Sequence, residues 1–127
     1  DVKLQYPEKL IKLKKDTPIY NCPQTTSWAD TEKDLSAWNQ NPMQAEALKR
    51  VYSMERNVKA MDDPGILEKW AKLTTSDHFY YMSTKQSSDG LVHAYFNPYG
   101  TAYDAYIYLM NILSDFDLML RQKKTPA

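Results

Sequence analysis

Two stretches of this chain place apolar side chains at helical spacing, and they constrain the fold more than any other feature. Met43, Ala47, Val51, Met54, Val58 and Met61 follow one another at steps of 4, 4, 3, 4 and 3. Ala102, Tyr106, Leu109, Leu113, Phe116 and Leu120 follow at steps of 4, 3, 4, 3 and 4. Such steps line one face of a helix. In the first stretch Glu46, Lys49, Arg50, Arg56 and Lys59 occupy the opposite face, so one apolar stripe is buried. In the second, Tyr103, Ile107 and Met110 form another apolar face, and Tyr108, Ile112 and Met119 a third. Only Asp104, Asn111 and Asp115 stay polar there. A helix apolar nearly all round is buried on several sides. Tyr106, Leu109, Leu113 and Phe116 are therefore expected in a central core helix or in a helix that pairs subunits.

Punctuation residues divide the chain around these stretches. Asn41 and Pro42 supply an N-cap and a first-turn proline for a helix over 42–61. Asp62-Asp63-Pro64-Gly65 ends it and starts a second over 64–73, with Ile66, Leu67, Trp70 and Leu73 on its apolar face. Ser27 is a candidate cap for a helix over 28–39, in which Trp28, Leu35 and Trp38 share a face. The last helix is expected over 101–120. Residues 1–26 hold three of the seven prolines and an excess of lysine. They read as an extended arm, with a short strand or turn of helix at Leu10–Leu13. The globular part then covers 27–121, and 122–127 is a solvated tail.

Between the helices the period changes. His78–Met82 and Leu91–Phe96 are rich in aromatic and branched residues, and Asp89-Gly90 is a strong turn signal between them. The expected fold is α+β: about four helices around the apolar C-terminal one, plus one antiparallel hairpin at about 78–96. An all-α bundle is the alternative. With a two-residue turn, strand alternation puts His78, Tyr80, Met82, His93 and Tyr95 on one sheet face. Phe79, Tyr81, Val92, Ala94 and Phe96 then face the helices.

Function is less legible. Sixteen basic and sixteen acidic residues sum to zero, which argues against nucleic acid and against a polybasic membrane surface. The sum conceals polarity: from Leu73 to Leu120 there are five acids and one base, Lys85, whereas both ends are basic. A basic arm could dock on an acidic partner or a neighbouring copy. The three glycines, Gly65, Gly90 and Gly100, are scattered, which excludes a phosphate-cradling loop. The single cysteine, Cys22, has no basic partner beside it and reads as an inert thiol. No metal, cofactor or catalytic residue is expected. A metal at His78 and His93 would need a third ligand, for which Asp77 and Asp104 are the only neighbours in sequence.

Ten tyrosines are unusual, and seven lie between Tyr80 and Tyr108. Tyrosine combines a large apolar body with a hydroxyl and is enriched at interfaces. Tyr80, Tyr95, His78, His93 and Tyr99 are the candidate binding surface. The favoured expectation is a non-enzymatic interaction module that binds another protein or a second copy of itself. A small bacterial exported or accessory protein (immunity, secretion or conjugation type) fits, with periplasmic or secreted location and the cytoplasm as alternative. No stretch is apolar enough to span a membrane. The first alternative is a ligand binder or enzyme with a pocket formed by His78, His93, Tyr80, Tyr95 and Asp104. The second is a structural subunit whose arm joins a neighbour's sheet edge.

Overall fold

The computed structural model describes residues 4–12, 19–86 and 88–124. Among these described residues seven helices follow in order: α1 (Pro7–Lys12), α2 (Pro42–Ser53), α3 (Glu55–Ala60), α4 (Pro64–Leu73), α5 (Ser76–Tyr80), α6 (Ser88–Phe96) and α7 (Ala102–Lys124). No strand occurs among the described residues, so the expected α+β fold gives way to its all-α alternative.

The core is the two sequence stripes meeting. Helix α2 packs on α7 and also touches α3 and α5, while α3 packs on α4. Ala47, Val51, Met54 and Val58 meet Ala105, Leu109, Leu113, Phe116 and Leu120, and Ile66, Trp70, Leu73, Phe79 and Met82 close the cluster. Tyr106 is half-buried beside it and donates from its hydroxyl to Glu46 Oε2 at 2.6 Å. Helix α7 buries only this face: Tyr103, Ile107, Tyr108, Ile112 and Leu118 are all exposed.

The expected helix 42–61 breaks at Met54 into α2 and α3, with the buried stripe preserved across the break. The Trp70 indole donates to Val51 O at 2.9 Å. Met54 N closes a tighter, three-residue turn on the same carbonyl. A side chain inserted into the helical ladder is a recognised cause of such a break. Helix α4 begins and ends where the punctuation places it. Asp63 caps it by accepting from Gly65 N and Ile66 N at 2.9 and 3.1 Å.

The expected helix 28–39 does not form. Asp30 and Lys33 have φ of 59° and 55°, a left-handed backbone that cannot continue a right-handed helix. Ser27 closes a loop instead: its N–H donates to Lys33 O at 2.8 Å, and its Oγ accepts from Ala29 N at 3.2 Å. Trp28 and Trp38 remain neighbours, but through the loop.

The expected hairpin is replaced by α5, a connection and α6. Phe79 and Met82 are the buried residues of the first segment, and their spacing of three is helical. Asp89-Gly90 is the first turn of α6 rather than a β-turn. A β-carbon on Gly90 would collide with the Lys85 carbonyl, so the glycine serves close approach, not hairpin geometry. The sheet face expected to carry both histidines therefore does not exist. In the arm, Pro7–Lys12 is helical; the short strand or turn of helix expected at Leu10–Leu13 overlaps this segment, and the extended chain expected over Pro7–Lys9 is not seen there. Leu13 and the arm's 13–18 segment lie outside the described residues, as do 125–127 of the tail.

Candidate functional site

The loop 27–40, the end of α5 and helix α6 meet around a buried charge cluster. The Asp30 and Lys85 side chains are each only 5% exposed, and Lys85 Nζ donates to Asp30 Oδ2 at 2.6 Å. The same ammonium reaches Glu32 Oε2 and Ser36 Oγ, both at 2.9 Å. His93 is the one buried side chain described on α6. Its Nε2 lies 3.1 Å from Asp30 Oδ2 and its Nδ1 lies 3.3 Å from Tyr80 O. Burial alone would raise the Asp30 pKa, but hydrogen bonds from Lys85 and His93 outweigh it and hold the carboxyl below its ordinary value. Burial would likewise lower Lys85, but its bonds to Asp30 and Glu32 hold it above the ordinary lysine value. Asp30 is thus a fixed carboxylate clamped to a fixed ammonium.

Aromatic rings line the surface above this cluster. Tyr80 stacks on His93 with centroids 3.9 Å apart. Trp38 stands 6.0 Å from Tyr80 and 6.4 Å from Trp28. On the other side Tyr81 follows at 6.4 Å from Tyr80, Tyr99 at 6.1 Å from Tyr81, and Tyr108 stacks on Tyr99 at 5.6 Å. The six rings form one continuous run across the molecule. Trp28, Trp38, Tyr80, Tyr81 and Phe96 wall an open cleft of about 290 Å³, with Ser76, Asp77 and Val92 completing it. A second cleft of about 290 Å³ shares Trp28, Tyr80 and Val92 but is more polar than the first, holding Asp30, Thr31, Lys33 and Asp89. Asp89 accepts from Thr31 N and Oγ1 at 3.4 and 3.2 Å, tying α6 to the loop. Burial, then the charges of Asp30 and Asp89, push the Tyr80 phenol up. Burial and Asp77 push Tyr81 up, so both phenols stay neutral donors.

Of the residues expected to form the binding surface, Tyr80, His93 and Tyr99 lie along the aromatic run, and His78 and Tyr95 are not part of it. Tyr80 lines the aromatic cleft and His93 lies beneath it. His78 sits at the junction of α4 and α5, with Nε2 3.2 Å from Lys72 O. Tyr95 is 82% exposed and edge-on to Phe96. Tyr99 is half-buried against Tyr108. Asp104 belongs to the α7 cap, where it pairs with Thr101 Oγ1 at 2.7 Å. Leu109, Leu113 and Phe116 are core. Cys22 is an exposed free thiol whose Sγ donates to Gln24 O. Among the described residues no group of three potential ligands is placed to hold a metal. None of their helices is long and apolar enough to cross a membrane. Sequence reasoning missed Trp28, Trp38, Asp30 and Lys85 as a unit. One signal was present: Lys85 is the lone base of an acidic segment, which marks a charge with an internal use.

This chain is similar to a protein named "Putative alpha-amylase". That protein is from Methanocaldococcus jannaschii, and the two are 37% identical over 106 residues. The similarity covers 77% of this chain and 23% of the relative, so this chain spans about a quarter of the relative's length. No known family profile matches the chain, and no solved structure matches it. The relative is archaeal, and the expectation of a bacterial exported protein gains no support from it.

Proposed function

We propose that this chain is a non-catalytic helical module through which an α-glucan-active protein holds its polysaccharide. The observation that carries the reading is the aromatic cleft with Asp77 at its edge and a more polar cleft beside it. A pyranose ring has apolar C–H faces and a hydroxyl rim. Aromatic rings pack on the former, while carboxylates and hydroxyls bond the latter. A neutral polymer asks for no basic patch, which agrees with a net charge of zero. The name of the archaeal relative supports an α-linked glucan. In support of the non-catalytic part, Asp30 is only 5% exposed and bound to Lys85 at 2.6 Å, which does not suit the proton-donating member of the carboxyl pair that glycoside hydrolysis uses.

Titration with maltotriose, followed by NMR of the tryptophan indole N–H groups, tests this. Trp28 and Trp38 are expected to shift saturably, while Trp70, bonded to Val51 O in the core, stays fixed. Trp38→Ala is expected to weaken binding about tenfold. Absence of any shift at Trp28 and Trp38 overturns the reading.

A second reading, a protein-interaction module, is favoured by α6. Leu91, Val92, Tyr95 and Phe96 all point outward while His93 anchors the helix. An apolar helix face of this kind suits contact with another polypeptide.

A further inference from the structure

A third cleft, of about 320 Å³, lies between the α5–α6 connection and the start of α7. Tyr81 lines it as well as the aromatic cleft, so one ring forms a wall of both. Beyond Tyr81 the lining is of the same mixed kind: Tyr99 and Tyr103 bring aromatic rings, and Thr84 and Thr101 bring hydroxyl groups. Ser83 Oγ is shielded from solvent and is the buried side-chain polar atom without a hydrogen-bond partner among the described residues. Asn97 is held rigidly, donating to Tyr81 O at 3.1 Å and accepting from Tyr99 N at 2.9 Å. These bonds fix Tyr99 relative to Tyr81, so the aromatic run keeps its spacing of about 6 Å across the boundary between the clefts.

We infer that the two clefts are consecutive parts of one binding track, which takes a glucan chain too long for either alone. The inference rests on the reading of the aromatic cleft as a glucan site and extends it: the preferred ligand is a linear oligosaccharide of several units. Sugar rings would pack in turn over Trp38, Tyr81 and Tyr99, with hydroxyls turned toward Asp77 at one end and toward Thr84 and Thr101 at the other.

Calorimetric titration with maltotriose and with maltoheptaose tests the track. Maltoheptaose is expected to bind about tenfold or more tightly than maltotriose. Tyr99→Ala is expected to bring maltoheptaose back toward the affinity of maltotriose. Tyr103→Ala is expected to act in the same direction, and its side chain is 65% exposed, so the fold does not depend on it. Equal affinity for the two sugars, or a maltoheptaose affinity that neither variant lowers, overturns the track. In that outcome maltotriose still shifts the Trp28 and Trp38 signals and the simpler reading stands. If neither sugar binds, both fall.

Discussion

At the scale of single residues, two buried polar side chains carry more of this structure than their number suggests. Gln44 is fully buried and uses every bond it can make. Its Oε1 accepts from Gln40 N and Asn41 N at 2.9 and 3.1 Å, and its Nε2 donates to Ala37 O and Phe79 O at 2.8 and 3.0 Å. One side chain thereby caps α2 and joins it to the loop and to α5. Gln44→Leu keeps the bulk but orphans these partners, and is expected to cost roughly 2–4 kcal/mol in chemical denaturation. Asn41 as the N-cap was legible in the sequence, whereas its reciprocal partner Gln44 was found only in the structure. The contacts to Ala37 and Phe79 were not legible either, because only the fold brings them near. Lys85 is the second case. Lys85→Met leaves the Asp30 charge buried without its ammonium, and a loss of roughly 3–5 kcal/mol is expected. Asp30→Asn in the same chain should recover part of it, since asparagine also tolerates the left-handed backbone at this position. The pH dependence follows in sign. The Asp30 pKa is lower folded than unfolded, so its contribution is present above about pH 4 and is lost as the pH falls through the folded value. The acid limb of a stability-against-pH curve should therefore be less steep in Asp30→Asn.

At the scale of elements, the sequence was informative wherever one face of a helix is buried and uninformative where burial has no periodicity. Helices α2 and α4 have cap signals, and they and the stripes of α3 and α7 have regular apolar steps and bury the face those steps mark, although the further apolar faces of α7 expected to be buried are exposed. Helix α6 has neither: its apolar residues face solvent and its buried one is a histidine, so a period drawn from its hydrophobic residues describes the wrong side. Its aromatic composition then favours a strand on propensity alone, which tertiary contacts override. The same holds for loop 27–40, whose shape comes from Ser27 and two left-handed residues. What fixes α6 is narrow: His93 on its inner side, Asp89 bonded to Thr31, and the close approach of the Lys85 backbone at Gly90. Gly90→Ala is expected to force Lys85 and α6 apart, at about 1–3 kcal/mol. Hydrogen exchange should then accelerate at the amides of α6 while those of α2 and α7 keep their protection.

At the scale of the whole molecule, the distribution of apolar surface separates what holds the fold from what the fold presents. Leu113 is fully buried where α7 meets α2, and its neighbour Ile112 is 49% exposed. Leu113→Ala should cost about 2–5 kcal/mol, whereas Ile112→Ala should fall within about 0.5 kcal/mol of the parent. The exposed set is large for so small a chain. Trp28, Leu91, Val92, Tyr95 and Phe96 lie around α6 and the loop, and Tyr103, Ile107, Tyr108, Ile112 and Leu118 lie along α7. None of these side chains contributes greatly to the buried core, so their removal should not unfold the protein. Large apolar patches on a single chain promote association and mark contact sites. Tyr95→Ser together with Phe96→Ser is accordingly expected to leave the midpoint of thermal unfolding within a few degrees of the parent. The same pair should raise the concentration at which the protein precipitates and reduce binding of a dye that reports exposed apolar surface. A large drop in the unfolding midpoint would instead mean that α6 is part of the cooperative core. The interaction reading of that face would then lose its basis, and the aromatic cleft, whose outer wall includes Phe96, would have to be counted as structure rather than surface.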